Sequence, residues 1–86
     1  MAEHAQGAIT ILRRKQVQSR IGLSRSTLYL RIAEGTFSRP VSLGGRAVGW
    51  PASEVETLNA ARVSGRSDSE IRELVVKLEA ARKTVA

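Results

Sequence analysis

Val17-Gln18-Ser19-Arg20-Ile21-Gly22-Leu23-Ser24-Arg25-Ser26-Thr27-Leu28-Tyr29-Leu30-Arg31-Ile32 holds a helix stop and a helix start within three residues. Val17 and Ile21 lie four apart, which is one face of a short helix over residues 14–21. Gly22 can take the left-handed conformation that ends such a helix, and Ser24 is a good N-cap for the next. Leu28 and Ile32 carry the second helix on one face until Glu34-Gly35 stops it. Two helices joined by so tight a turn cross steeply, with Val17, Ile21, Leu23, Leu28 and Ile32 packed between them.

Residues 1–8 show no periodicity and read as a flexible tail, whereas Ile9, Ile11 and Leu12 suggest a short edge strand. Downstream, Val41-Ser42-Leu43 and Ala47-Val48-Gly49-Trp50 flank Gly44-Gly45-Arg46, the pattern of a β-hairpin with an arginine near its tip. Ser53 and Glu56 have the three-residue spacing of a capping box and predict a third helix to about Val63, turning Val55, Leu58 and Ala61 inward. Residues 64–66 read as a hinge, and Ser67 with Glu70 forms a second capping box. Beyond it Ile71, Leu74, Leu78, Ala81 and Val85 step by three and four, an a/d seam of two heptads. Glu73–Lys77 and Glu79–Lys83 are spaced for ion pairs on its outer faces. The expected fold is mainly α with a small β-hairpin wing: a winged helix-turn-helix over residues 9–63, followed by a C-terminal helix over 67–86.

Eighty-six residues allow one small domain. The absence of cysteine removes disulfides and thiolate metal sites, and the one histidine, His4, has no partner in view. No catalytic group, metal or cofactor is therefore expected, and an enzyme is not. No apolar run approaches the ~20 residues that span a bilayer, and no signal-peptide pattern opens the chain. The expected setting is the cytoplasm, on the bacterial nucleoid and away from membrane.

Charge points to the partner. The net charge is +6, and the whole excess lies in residues 1–52, where eight bases face two acids. Seven of those bases are arginine, whose planar fork suits phosphate oxygens and the guanine edge. Aromatics are few, and Phe37 and Trp50 read as core, which favours duplex DNA over a base-stacking single-strand reader. In a helix-turn-helix the start of the second helix faces the bases, so Ser24, Arg25, Ser26 and Thr27 are the candidate contacts, with Tyr29 and Arg31 further along. Arg14 and Lys15, next to Arg13, are phosphate candidates, as is Arg39; Gly45 and Arg46 form the wing tip.

Gly22-Leu23-Ser24-Arg25-Ser26-Thr27-Leu28-Tyr29, Gly35-Thr36-Phe37, Arg39-Pro40-Val41 and Gly45-Arg46-Ala47-Val48-Gly49-Trp50 resemble the AlpA-type phage regulatory proteins, small relatives of excisionase and MerR-like winged helices. The likeness runs from about Leu12 to Ala61. It implies a DNA-binding regulator of a prophage or mobile element, acting on integrase or excisionase function, with its recognition helix at 24–34 and its wing at 41–50. Two positions depart from the family's usual pattern. Ser38 stands where proline is common, and Leu30-Arg31 reverses a basic-then-apolar order.

The stripe Ile71, Leu74, Leu78, Ala81 and Val85 must be buried, because an isolated helix of this length is marginal in water. It can cover the same chain or pair with a second copy, and its narrowness favours a homodimer. Three roles fit the sequence. The first is a sequence-specific regulator on double-stranded DNA. The second is an excisionase-like factor that bends DNA beside an integrase or neighbouring copies. The third is a protein adaptor working through the C-terminal helix.

Overall fold

The computed structural model describes residues 9–84. Their order is β1 (Ile11–Leu12), α1 (Arg14–Ile21), α2 (Arg25–Glu34), β2 (Val41–Gly44), β3 (Ala47–Pro51), α3 (Ala52–Val63), α4 (Asp68–Ala81) and a 3-10 turn, Arg82–Thr84. This is a helix-turn-helix with a hairpin wing and a C-terminal helix, the expected fold class. The tail proposed for residues 1–8, with His4, lies outside the described residues, as does Val85.

The local signals act where expected. Gly22 ends α1 at φ 71° and Gly35 ends α2 at φ 81°, both in the left-handed region. The Ser24 hydroxyl accepts the Thr27 N–H at 3.3 Å, which satisfies one of the open donors at the start of α2. The wing folds with Gly44 opposite Ala47, so the tip is Gly45-Arg46. Strand order is β1-β3-β2, antiparallel throughout, with Leu12 opposite Trp50 and Val41 opposite Gly49. Gly49 has to be small: a Cβ there would collide with Ile11 Cγ2 and meet the Leu12 carbonyl at 3.0 Å.

Leu12, Val17, Leu28, Phe37, Trp50, Val55, Leu58, Ala61, Ile71 and Val75 form one core. All four helices and β1 and β3 contribute to it. Phe37 and Trp50 are buried, and the Trp50 indole N–H donates to the Ser38 carbonyl at 2.9 Å. Ser38 is itself fully buried, and its hydroxyl has no hydrogen-bond partner among the described residues. A polar atom thus sits in the core where the AlpA pattern commonly has proline.

Three expectations need correction. First, Ser53 and Glu56 do not cap α3. The Ala52 N–H donates to the Thr10 carbonyl at 2.8 Å, so the residue just before β1 satisfies the first helical amide and α3 begins at Ala52 with Pro51 as its N-cap. Glu56 instead meets Arg20 at 3.3 Å across the surface.

Second, the stripe on α4 is largely spent within the chain. Ile71 is 1% exposed and Val75 5% exposed, while Leu74 and Leu78 pack partly against the same core. Packing on a globular core uses a broader face than a two-helix seam, and Val75 completes it. Ala81 is exposed. The seam drawn for a second copy is therefore not open at Ile71.

Third, Glu79 turns toward Arg39, accepting its backbone N–H at 2.8 Å and its guanidinium at 3.3 Å. The spacing to Lys83 yields to this longer-range partner, and the Glu73–Lys77 pair does not form either. Residues 64–66 make a hydrogen-bonded turn, with Arg66 N–H donating to the Ala61 carbonyl at 3.1 Å and Gly65 at φ 86°. Arg62 meets Asp68 across it at 2.8 Å.

The predicted cap of α4 is present, with Ser67 Oγ accepting the Glu70 N–H at 3.1 Å and Glu70 accepting the Ser67 N–H at 3.0 Å. The Ser67 amide and hydroxyl hold the Glu70 carboxyl below its ordinary range. The Arg62 guanidinium does the same for Asp68. Both groups bind protons more weakly folded than unfolded, so their contribution is complete above the unfolded carboxylate range, near pH ~4, and is lost as pH falls through it and below. The melting temperature should accordingly drop on acidification below about pH 4.5. Glu70→Gln should flatten part of that slope in a pH series of thermal melts.

Candidate nucleic-acid interface

The geometry of α1, α2 and the wing produces one basic cleft. Arg13, Arg14 and Lys15 stand at the start of α1, Tyr29 comes from α2, and Arg46 and Val48 come from the wing; together they line a single groove. The tight turn between α1 and α2 leaves Tyr29 sharing a groove with the first turn of α1. The hairpin, held to β1 through β3, closes the other wall. Arg13, Lys15 and Arg46 are exposed and make no side-chain hydrogen bond or ion pair with other described residues. Four cations thus share one groove that no acid among the described residues lines, an arrangement that raises the local concentration of anions.

Arg14 is held in place. Its guanidinium donates to the Gln18 side-chain carbonyl at 2.7 Å, and the Gln18 amide donates to the Leu23 carbonyl at 3.4 Å. Gln18 therefore ties a cleft arginine to the turn between α1 and α2. The sequence alone does not single it out, because a glutamine mid-helix carries no local signal until its two partners are placed. Val48, the apolar lining residue on the wing, carries only a strand signal in the sequence.

Along α2, Ser24, Arg25 and Ser26 are exposed at the N-terminal end, with Thr27 half-buried. Ser24 donates to the Thr27 hydroxyl at 3.0 Å, so part of this polar cluster is used to cap the helix. Arg25 is left without a side-chain partner among the described residues. Tyr29 is 39% exposed, with its ring against the cleft.

Two candidates lie elsewhere. Arg31 points to the opposite side of α2, lining a depression with Leu23, Asn59 and Arg62. It sits close enough to Asp68 to help lower that carboxyl. Arg39 is bound by Glu79 on the α4 side, where it lines a separate groove with Ile32, Phe37 and Arg72. Neither belongs to the basic cleft. Their charge type is legible in the sequence, whereas the surroundings of residue 31 and the partner of residue 39 depend on α3 and α4.

Residues 10–63 match the model of the prophage CP4-57 regulatory protein (AlpA) family. The chain belongs to this family. The matched AlpA segment runs from Thr10, which accepts from Ala52, to the last residue of α3, and so contains every residue lining the basic cleft. A relative in Enterobacteria phage P4, an uncharacterized protein ORF88, is 49% identical over 55 residues. That stretch is 64% of this chain and 62% of the relative, so the likeness spans less than two thirds of the relative's length. No solved structure matches the chain. The AlpA family is one of phage regulatory proteins rather than enzymes. Among the described residues no helix is long and apolar enough to cross a membrane, and no group of three His, Cys, Asp or Glu side chains could hold a metal.

Proposed function

We propose that this AlpA protein is a sequence-specific regulator that binds double-stranded DNA, placing α2 in the major groove and the wing tip on the adjacent backbone or minor groove. The observation that carries this reading is the cleft in which Arg13, Arg14, Lys15 and Arg46 surround Tyr29. A duplex backbone presents a regular line of phosphates. Cations on both sides of a protruding helix would fix its register on that line, while the helix itself meets base edges. Membership of a family of prophage regulatory proteins supports this reading, and the proposed setting is control of a prophage or mobile element in the host cytoplasm.

The roles then divide. Arg13, Arg14, Lys15 and Arg46 neutralise phosphates, and Tyr29 donates its hydroxyl to another. Arg25 and Ser26, at the exposed start of α2, face base edges. Four cations on phosphates would give a log–log salt slope of about −3.6. Replacing Arg14 and Arg46 together with alanine should reduce that slope by about 2 and weaken binding evenly across sequences. Arg25→Ala should instead relax sequence preference. Selection from a random duplex pool, followed by titration of the winner and a scrambled control across salt, reads both effects. A defined motif supports the regulator, whereas enrichment of flexible, kinkable steps without a motif would make the chain an architectural, excisionase-like factor. No enrichment at low salt would overturn DNA binding altogether.

A further inference from the structure

Leu30 is 55% exposed on α2, whereas Leu28 two residues earlier is fully buried. Two residues turn a helix by about 200°, so Leu30 projects away from the core. Ser26 lies one turn before it on the same face and is exposed as well. Tyr29, its neighbour, lines the basic cleft. A lone exposed leucine is ordinary on a protein surface. Its position is the informative part, since it occupies the outward crest of the helix that the cleft cations flank. Arg31, the adjacent base, is directed to the far side of α2, beside Asn59 and Arg62, and cannot substitute for it there.

A leucine side chain neither donates nor accepts a hydrogen bond and carries no charge. On the floor of the major groove the apolar feature that distinguishes one base pair from another is the C5-methyl of thymine. We propose that Leu30 is a specificity-determining residue that packs on a thymine methyl, so that the second turn of α2 reads an apolar group rather than a hydrogen-bonding edge. This rests on the DNA-binding reading above and adds to it the base chosen at one step.

The test uses the full chain and the best duplex recovered from a random pool, with each thymine replaced in turn by deoxyuridine, which lacks only the methyl. At one position the replacement should weaken binding by about threefold to tenfold, the value of one buried methyl or slightly more. Leu30→Ala should lose thymine preference at that same position, become indifferent to deoxyuridine there, and keep the salt slope of the unaltered chain. Leu30 is exposed enough that this substitution should leave the fold intact. Salt-dependent, sequence-selective binding that ignores deoxyuridine everywhere would overturn the proposal while leaving the DNA-binding reading standing. So would a deoxyuridine effect that persists undiminished in Leu30→Ala. Failure to select any duplex would sink both.

Discussion

Arg82→Ala should destabilise the domain by about 3 kcal/mol, because it strands a buried carboxylate. Glu54 is 5% exposed in the first turn of α3, and Arg82 meets both of its oxygens, at 2.8 and 2.6 Å. The hydrogen bond to Glu54 raises the Arg82 pKa further and keeps the guanidinium charged. Arg82 also donates to the Arg39 carbonyl at 2.6 Å, so one side chain joins the end of α4 to α3 and to the segment before the wing. For a domain of this size the loss corresponds to a fall in melting temperature of roughly 15 °C. A double variant, Glu54→Leu with Arg82→Leu, should recover much of the loss, since the cost lies in the unpaired charge more than in the missing attraction. Equal damage from the double and the single variant would assign the effect to packing instead.

Trp50→Ala should cost about 3–5 kcal/mol, the range for truncating a fully buried large aromatic. Against a total stability of roughly 5–10 kcal/mol, that leaves a substantial unfolded fraction. The indole fills the space beneath β3, touches no solvent, and gives its N–H to Ser38. Trp50→Phe separates the two contributions. It keeps most of the ring volume but leaves the Ser38 carbonyl without its donor, a loss of about 1–3 kcal/mol. Urea titration followed by circular dichroism measures both variants. As the chain has one tryptophan, its emission provides a second probe for the unaltered protein and for Arg82→Ala.

What could be read beforehand was local. Gly22 and Ser24 sit next to the ends they create, Gly44-Gly45 marks the wing, and Ser67 with Glu70 starts α4; each signal and its effect lie within four residues. What escaped was non-local. The false cap at Ser53 failed because Thr10, 42 positions before Ala52, supplies the acceptor for the first helical amide. Val75 joined the core because α4 packs across a surface rather than along a seam. The site followed the same rule. The cleft residues Arg14, Lys15, Tyr29 and Arg46 were identifiable by type and by motif order, and the fold brings them together. Arg31 and Arg39 line other faces of the domain, and Gln18 acquires meaning only through its two partners.

The family likeness ends at residue 63, yet Ile71 and Val75 belong to the same core as Leu28 and Trp50. Arg72 donates to the Glu34 carbonyl at 2.9 Å, holding the far end of the helix proposed to read DNA. Kinship and self-sufficiency therefore have different borders in this chain. A fragment cut after residue 63 would retain every described member of the basic cleft and lose the Arg72 contact to the end of α2. The segment beyond the matched residues is thus where the stiffness of the basic surface can be set.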